Sequence, residues 1–268
     1  MTQSSDRLPT CGYRIFLLTI LCLVLSPADA LVLLSSTAVS SASSSSLDDK
    51  TVVERQLGYL PPNYLHVSAR TRHGSPIAIK TYPILRKKKG YDSAQIPLDP
   101  SSPKSSWGVP FPTNYWLTCP AISRAIGEIE RLGYIGLIVD YLNLEEPANF
   151  DKRQQLLRCH QQCGEDRWET LEPSDRDFFQ QYAESDPTIA NMKFMIQESG
   201  ISGLEYQSKL DAGFLTEVSI KCLHTHYAHF CSTTTPEQRF SSSTTLLENP
   251  IGRITHNLLR SKFPSLEL

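Results

Sequence analysis

Ile220-Lys221-Cys222-Leu223-His224-Thr225-His226-Tyr227-Ala228-His229-Phe230 decides whether the C-terminal part of this chain reads as sheet or as helix. On a strand, alternate residues share a face. Cys222, His224 and His226 would then align, and Leu223 and Tyr227 would be misplaced. On a helix, residues step by about 100°, and Ile220, Leu223, Tyr227 and Phe230 form one apolar stripe. The helix accounts for the apolar residues, with Ser219 as N-cap and Cys222 in the first turn. Cys222, His226 and His229 lie opposite the stripe, and His224 lies at its margin.

That polar face concentrates chemistry. Spacings of four and three place neighbouring side chains roughly 5–6 Å apart, which suits two ligands of one metal or a thiol beside a base. A helix N-terminus and the adjacent Lys221 both favour thiolate over thiol. The candidate catalytic pair is therefore Cys222 with His226, and the candidate metal set is Cys222, His226 and His229. The plainer reading is a helix buried on both sides, its histidines hydrogen-bonded and its thiol filling space. The chain has no CxxC pair and no HExxH motif, so spacing alone does not argue for a metal. It has no GxxxxGK, no GxGxxG after a strand and no GxSxG, and no cofactor is implied.

Working outward, Tyr64 to Arg70 and Ile77 to Tyr82 are β-rich runs around Gly74-Ser75-Pro76, which predicts a hairpin. Residues 86–110 are rich in Lys, Ser, Pro and Gly and read as a loop, with Arg86-Lys87-Lys88-Lys89 as a solvated charge run. Tyr115 to Leu117 reads as a third strand. Thr118 or Cys119 then caps a helix with Pro120 in its first turn, continued by Ile122, Ala125, Ile126, Ile129 and Leu132. Cys119 would occupy a helix start like that of Cys222. The two starts are expected to face each other across a pocket, with Thr118, Cys119, Lys221 and His224 as ligand-binding candidates. Helical patterns follow at Phe150 to Trp168, from Pro173, from Asp186-Pro187 and from Asn249-Pro250. Cys159 and Cys163 have helical metal spacing but fall on a charged helix, where a solvated or half-buried face is expected.

The bulk numbers bound the function class. The chain has 268 residues, 26 basic and 28 acidic, for a formal charge of −2. That balance argues against general binding to nucleic acid or to anionic membranes, which needs a basic excess. The first fifty residues stand apart. Ile15 to Leu25 reads IFLLTILCLVL, followed by Ser26-Pro27 and a small-x-small site at Ala28-Asp29-Ala30. This run is about half of the roughly 20 residues a membrane span requires, so residues 1–30 read as a signal peptide and no stable span is expected in the mature protein. Residues 31–50 are Ser-rich and acid-poor, as in transit peptides. The pair predicts a two-part plastid presequence, with secretion or an uncleaved anchor as the alternative. Five cysteines remain in the mature part, an odd number without regular spacing, which fits free thiols better than a disulfide framework.

The mature chain resembles a mainly bacterial family, domain-of-unknown-function family 501. The similar blocks are Gln56-Leu57-Gly58 with the hairpin through Pro83, PFPTNYWLTCP at 110–120, Ser199-Gly200-Ile201-Ser202-Gly203, and Lys221-Cys222-Leu223-His224-Thr225-His226 with Asn249-Pro250-Ile251-Gly252. A weaker match joins His160 to Arg167-Trp168, which adds His160 and Arg167 to the ligand-binding candidates. Many relatives carry cysteine just before the hairpin glycine, where this chain has Thr71-Arg72-His73. A metal site using that cysteine would be intact here only if His73 substitutes.

These readings converge on an α+β fold: one mainly helical domain over 51–268, with a small antiparallel sheet near its start. The resemblance brings no activity. The expected function is a globular domain with a pocket between the PFPTNYWLTCP block and the KCLHTH helix. The alternatives are a small thiol- or metal-dependent enzyme using Cys222 and a non-catalytic binding or accessory protein.

Overall fold

The computed structural model describes residues 48–86, 98–99, 101, 107–204, 206–241 and 248–268. The signal-like segment, most of the Ser-rich segment and Lys87 to Lys89 lie outside the described residues. The chain is a mainly helical α+β domain with small antiparallel sheets.

The first helix, α1 (Asp49–Leu57), starts inside the Ser-rich segment read as residues 31–50. Val53 explains why: it is fully buried against Tyr64 and Ile79, so the chain is tied down before residue 51. Gly58 stops α1 in the left-handed region, at φ 81°, where a side chain would be strained.

The hairpin forms as expected. Strands β1 (Tyr64–Arg70) and β2 (Pro76–Thr81) pair antiparallel, with Val67 opposite Ile79. The Thr71 N–H donates to the Ser75 carbonyl at 2.8 Å and closes the turn around Gly74. Short strands β3 (Ile84–Leu85) and β4 (Val109–Pro110) make a second sheet. Strand β5 (Tyr115–Leu117) adds to the free edge of β2, giving the order β1-β2-β5. The central strand carries Ile77, Ala78 and Ile79, all fully buried, because both of its faces are covered. On one side Ile79 meets α1, and on the other the sheet packs on the Cys/His helix.

Helix α2 (Pro120–Arg131) starts at Cys119 with proline in its first turn and buries Ile122, Ala125, Ile126 and Ile129. A left-handed turn at Gly133 leads into α3 (Tyr134–Leu142), α4 (Pro147–Thr170), α5 (Pro173–Tyr182) and α6 (Pro187–Glu198). Strands β6 (Leu210–Asp211) and β7 (Phe214–Leu215) form a small ribbon before α7 (Leu223–Thr233), α8 (Pro236–Phe240) and α9 (Pro250–Lys262).

Helix α7 is the helix predicted from the apolar stripe, and it is the centre of the fold. It packs on the three-stranded sheet, α2 and α9. Leu223, Tyr227 and Phe230 are fully buried, each worth roughly 1.5–3 kcal/mol relative to exposure. Its polar face is also covered, with His226 and His229 buried. The plainer sequence reading therefore describes the body of α7. Gly252 lets α9 approach closely: a Cβ there would stand 2.2 Å from Phe230 Cβ and 2.8 Å from the His226 carbonyl oxygen.

Two expectations about polar residues are corrected. Arg86 is not part of a solvated charge run: it is buried and paired with buried Asp175 at 2.5 Å. Asp175 also accepts from the Tyr82 hydroxyl and the Leu98 N–H, so the charge is neutralised within a cluster between the second sheet, α5 and α6. Cys159 and Cys163 do not lie on a half-solvated face. They are 1% and 3% exposed, because α4 is surrounded by other helices.

Candidate functional site

The N-terminus of α7 differs from its body. Its N-cap is Cys222, in extended backbone, rather than Ser219. The carboxylate of Glu130, near the end of α2, reaches across and accepts the Leu223 N–H at 2.6 Å. An anion at a helix N-terminus meets unsatisfied N–H groups and the positive end of the helix dipole, so this placement is favourable.

His224 completes a cluster with these two. Its Nδ1 lies 3.5 Å from Cys222 Sγ and 3.2 Å from Glu130 Oε1. Its Nε2 lies 3.0 Å from the Ser123 carbonyl oxygen. The first turn of α2 aims that carbonyl, through the Ser123 N–H donating to the Cys119 carbonyl at 2.9 Å. Among the described residues, Glu130, Cys222 and His224 are the one group of three metal-capable side chains whose ligand atoms lie within 4.8 Å of one another. All three are half-buried.

Protonation follows from who faces whom. A carbonyl oxygen can only accept, so Nε2 carries a hydrogen. Nδ1 faces a sulfur and a carboxylate, so in the metal-free state it carries one too. The Cys222 contact first, then the Glu130 and Cys222 charges and the Ser123 carbonyl, raise His224 to about 9 against the cost of its burial. Burial pushes the Cys222 thiol up, but hydrogen bonds from His224 and from the backbone and hydroxyl of Thr225 outweigh it, and the net shift is downward. This is not a nucleophile–base–acid relay, in which opposite ring nitrogens serve the thiol and the carboxylate. Here one nitrogen faces both.

Cys222 also opens onto a cleft of about 220 Å³, lined by Pro112, Thr113, Ile201, Ser202, Gly203, Lys221, Cys222 and Thr225. Three segments far apart in sequence make its walls, and buried side chains fix two of them, around Pro112 and around Ile201. Arg167, fully buried on α4, donates from Nη1 to the Pro112 carbonyl at 2.9 Å and from Nε to the Ile196 carbonyl at 2.7 Å. Its Nη2 donates to the Ser199 carbonyl. His160 accepts the Ile201 N–H at Nδ1, 3.0 Å, and stacks on Tyr206 with ring centroids 4.6 Å apart. Gly200 permits this: a Cβ there would lie 2.4 Å from His160 Nδ1. His226 Nε2 meets Ser202 Oγ at 2.9 Å.

The candidates from sequence thus divide. Cys222 and His224 come together, joined by Glu130. Lys221 lines the cleft with Cys222. His226 lies beneath the cleft wall, its nitrogens engaged by Ser202 and Asn249, and burial above all lowers it to about 3. His229 packs edge-on against Tyr115, and burial lowers it to about 4. His160 and Arg167 position the walls. Thr118 is buried with its N–H on the Ile77 carbonyl, and Cys119 is half-buried at the start of α2; neither is among the lining residues. His73 sits exposed in the hairpin turn, apart from this cluster. Thr113 lies in the PFPTNYWLTCP block expected at the pocket, whereas sequence reasoning misses Glu130, Ser123 and Ser202 as site residues, because nothing local distinguishes a polar residue on α2 or in a loop.

The family model for "Protein of unknown function (DUF501)" matches residues 67–257. The chain belongs to this family. Every residue of the cluster and of the cleft falls within the DUF501 match, whereas Gln56-Leu57-Gly58 precedes it. No curated protein and no solved structure matches the chain.

Proposed function

We propose that this DUF501 domain binds a small molecule in the cleft at Cys222, with the sulfur as the group that meets it. The observation that carries this reading is the convergence of three separated segments, around Pro112, Ser202 and Cys222, on one cleft, the first two of them held by buried Arg167, His160 and His226. Domains preorganise walls in this way when a site must keep its shape. At about 220 Å³ the cleft is below the roughly 300–1,000 Å³ of drug-sized pockets, so the ligand is small. The lining is mixed: Pro112 and Ile201 supply apolar surface, and the hydroxyls of Thr113, Ser202 and Thr225 supply hydrogen-bonding groups.

Disulfide-exchange fragments of graded size test the reading. Small fragments should label Cys222 in the native protein well ahead of buried Cys159, Cys163 and Cys231. Thr113→Trp, which fills the cleft, should suppress labelling by the larger fragments. Labelling of Cys222 no faster than the buried thiols, or indifferent to Thr113→Trp, would sink the proposal.

We also infer that the first fifty residues direct the chain to a plastid. The support is sequence alone: the short apolar run to Leu25, the break at Ser26-Pro27 and the Ser-rich, acid-poor stretch behind it. A fluorescent reporter carrying these residues should accumulate in plastids, and its secretion would refute the inference. Among the described residues, no helix is long and apolar enough to cross a membrane.

A further inference from the structure

We propose that Glu130, Cys222 and His224 form a three-ligand site for one divalent transition metal ion, zinc in the first instance, with its fourth position turned toward the cleft. The role of that fourth position rests on the reading of the cleft as a ligand site. Ion binding itself does not.

The distances carry the argument. Tetrahedral zinc sits about 2.3 Å from sulfur and about 2.0–2.1 Å from nitrogen and oxygen, so its ligand atoms stand about 3.3–3.6 Å apart. Cys222 Sγ and His224 Nδ1 are 3.5 Å apart, and His224 Nδ1 and Glu130 Oε1 are 3.2 Å apart. Two of the three ligand–ligand edges thus already have nearly their bonded lengths, and the third, from Cys222 Sγ to the Glu130 carboxylate, lies within 4.8 Å. The outer contacts fit as well. A metal-bound imidazole holds its other N–H on a carbonyl or carboxylate, which fixes ring orientation. His224 Nε2 faces the Ser123 carbonyl at 3.0 Å in this way. Glu130 is itself steadied by the Leu223 N–H at 2.6 Å.

The donor set selects the ion. Thiolate, imidazole and carboxylate together suit zinc and its neighbours better than magnesium or calcium, which prefer oxygen alone. Charge also closes: a divalent cation with one thiolate, one carboxylate and a neutral imidazole sums to zero in a half-buried place. Without the ion, Nδ1 needs a proton to face the same two acceptors, so proton and metal compete for one position. Three protein ligands leave a fourth position for water or substrate, as in catalytic zinc sites. Cys222 is the residue shared by the cluster and the cleft lining, so it links the ion to that space.

Cobalt(II) added to metal-stripped full-length protein tests the site. One equivalent should bind with a thiolate-to-cobalt charge-transfer band, and zinc should displace it. Glu130→Gln and His224→Gln should weaken cobalt binding a hundredfold or more, and Cys222→Ser should abolish the band. His73→Gln, in the exposed turn, should leave both unchanged. Should a ligand variant fail to fold, zinc protection of Cys222 from iodoacetamide in the wild-type chain decides, read by mass spectrometry. No uptake by folded protein, a band that survives Cys222→Ser, or no protection of Cys222 by zinc would overturn the site. Thr113→Trp separates the two proposals, because it should block fragment labelling and leave the cobalt spectrum intact.

Discussion

Arg167 Nη1 and the Pro112 carbonyl oxygen stand 2.9 Å apart, and this bond ties the loop before β5 to the middle of the molecule. The same guanidinium holds the Ile196 and Ser199 carbonyls, so one fully buried side chain links two of the three segments that wall the cleft. Lysine keeps the charge but has neither the planar fork nor its five donors. Arg167→Lys should leave two carbonyls unsatisfied and cost about 2–4 kcal/mol, measurable by urea unfolding. It should also blunt the size selectivity of Cys222 labelling. Unchanged stability would mean that the guanidinium does not organise the loops.

Acid should unfold the domain through its buried histidines. His229 is lowered to about 4, chiefly by burial, with Asp166 opposing and Arg167 assisting. His256 is lowered to about 3 by burial and by Arg253, Arg260, Arg239 and Arg72. His160 is held well below 6.5 by burial, His226, His229 and Arg167. In each case the unfolded chain binds the proton more readily than the folded one. The stabilisation is therefore complete above about pH 6.5 and declines as pH falls toward each folded value, by about 1.4 kcal/mol per pH unit and histidine. Urea midpoints from pH 7.5 to 4.5 should fall steadily with acid below about 6.5. A flat profile across that window would contradict the neutral, buried state of these rings.

Much of this architecture is legible where local signals are strong. The hairpin, β5, the proline-led start of α2 and the Asp186 cap of α6 each declare themselves within a few residues, and all are present. Helix α3 escapes a sequence reading because Tyr134 to Leu142 is apolar almost all round, so no period separates it from a buried strand. Local spacing places the start of α7 three residues early, and the reason is tertiary. Glu130, 93 residues before Leu223, supplies the capping group that a local reading assigns to Ser219. The same remoteness hides the Glu130–His224 contact. Spacing within the KCLHTH segment pairs Cys222 with His226 by helix geometry. With Cys222 outside the helix as its cap, His224 becomes the neighbour instead.

Arg86 and Asp175 offer a test of buried charge. Asp175 accepts from Arg86, from the Tyr82 hydroxyl and from the Leu98 N–H, and both members of the pair are almost fully buried. Removing one charge leaves the other uncompensated, so Asp175→Ala should cost roughly 3–5 kcal/mol. Arg86→Met/Asp175→Leu should cost less than the sum of the single changes, since no lone charge remains. Additive losses in a double-mutant cycle would show that the two side chains act separately.

Gly252 tests how closely the helix under the site must pack. A methyl group there would meet Phe230 Cβ at 2.2 Å and the His226 carbonyl oxygen at 2.8 Å, so α7 and α9 must separate to admit it. The Asn249 amide, which caps α9 and bonds to the His226 carbonyl at 3.2 Å, would be drawn away with α9. Overpacking of this kind costs roughly 1–3 kcal/mol, so Gly252→Ala should lower the urea midpoint even though alanine favours helix. The displacement reaches His226, and through it Ser202 in the cleft wall, so Cys222 labelling by fragments should change as well. Gly127 on α2 serves as the control, because a Cβ added there would have nothing within 4 Å. Gly127→Ala should leave labelling unchanged and hold or raise stability. A Gly252→Ala protein as stable as wild type would show that α7 and α9 have slack at this crossing and that the cleft wall does not depend on it.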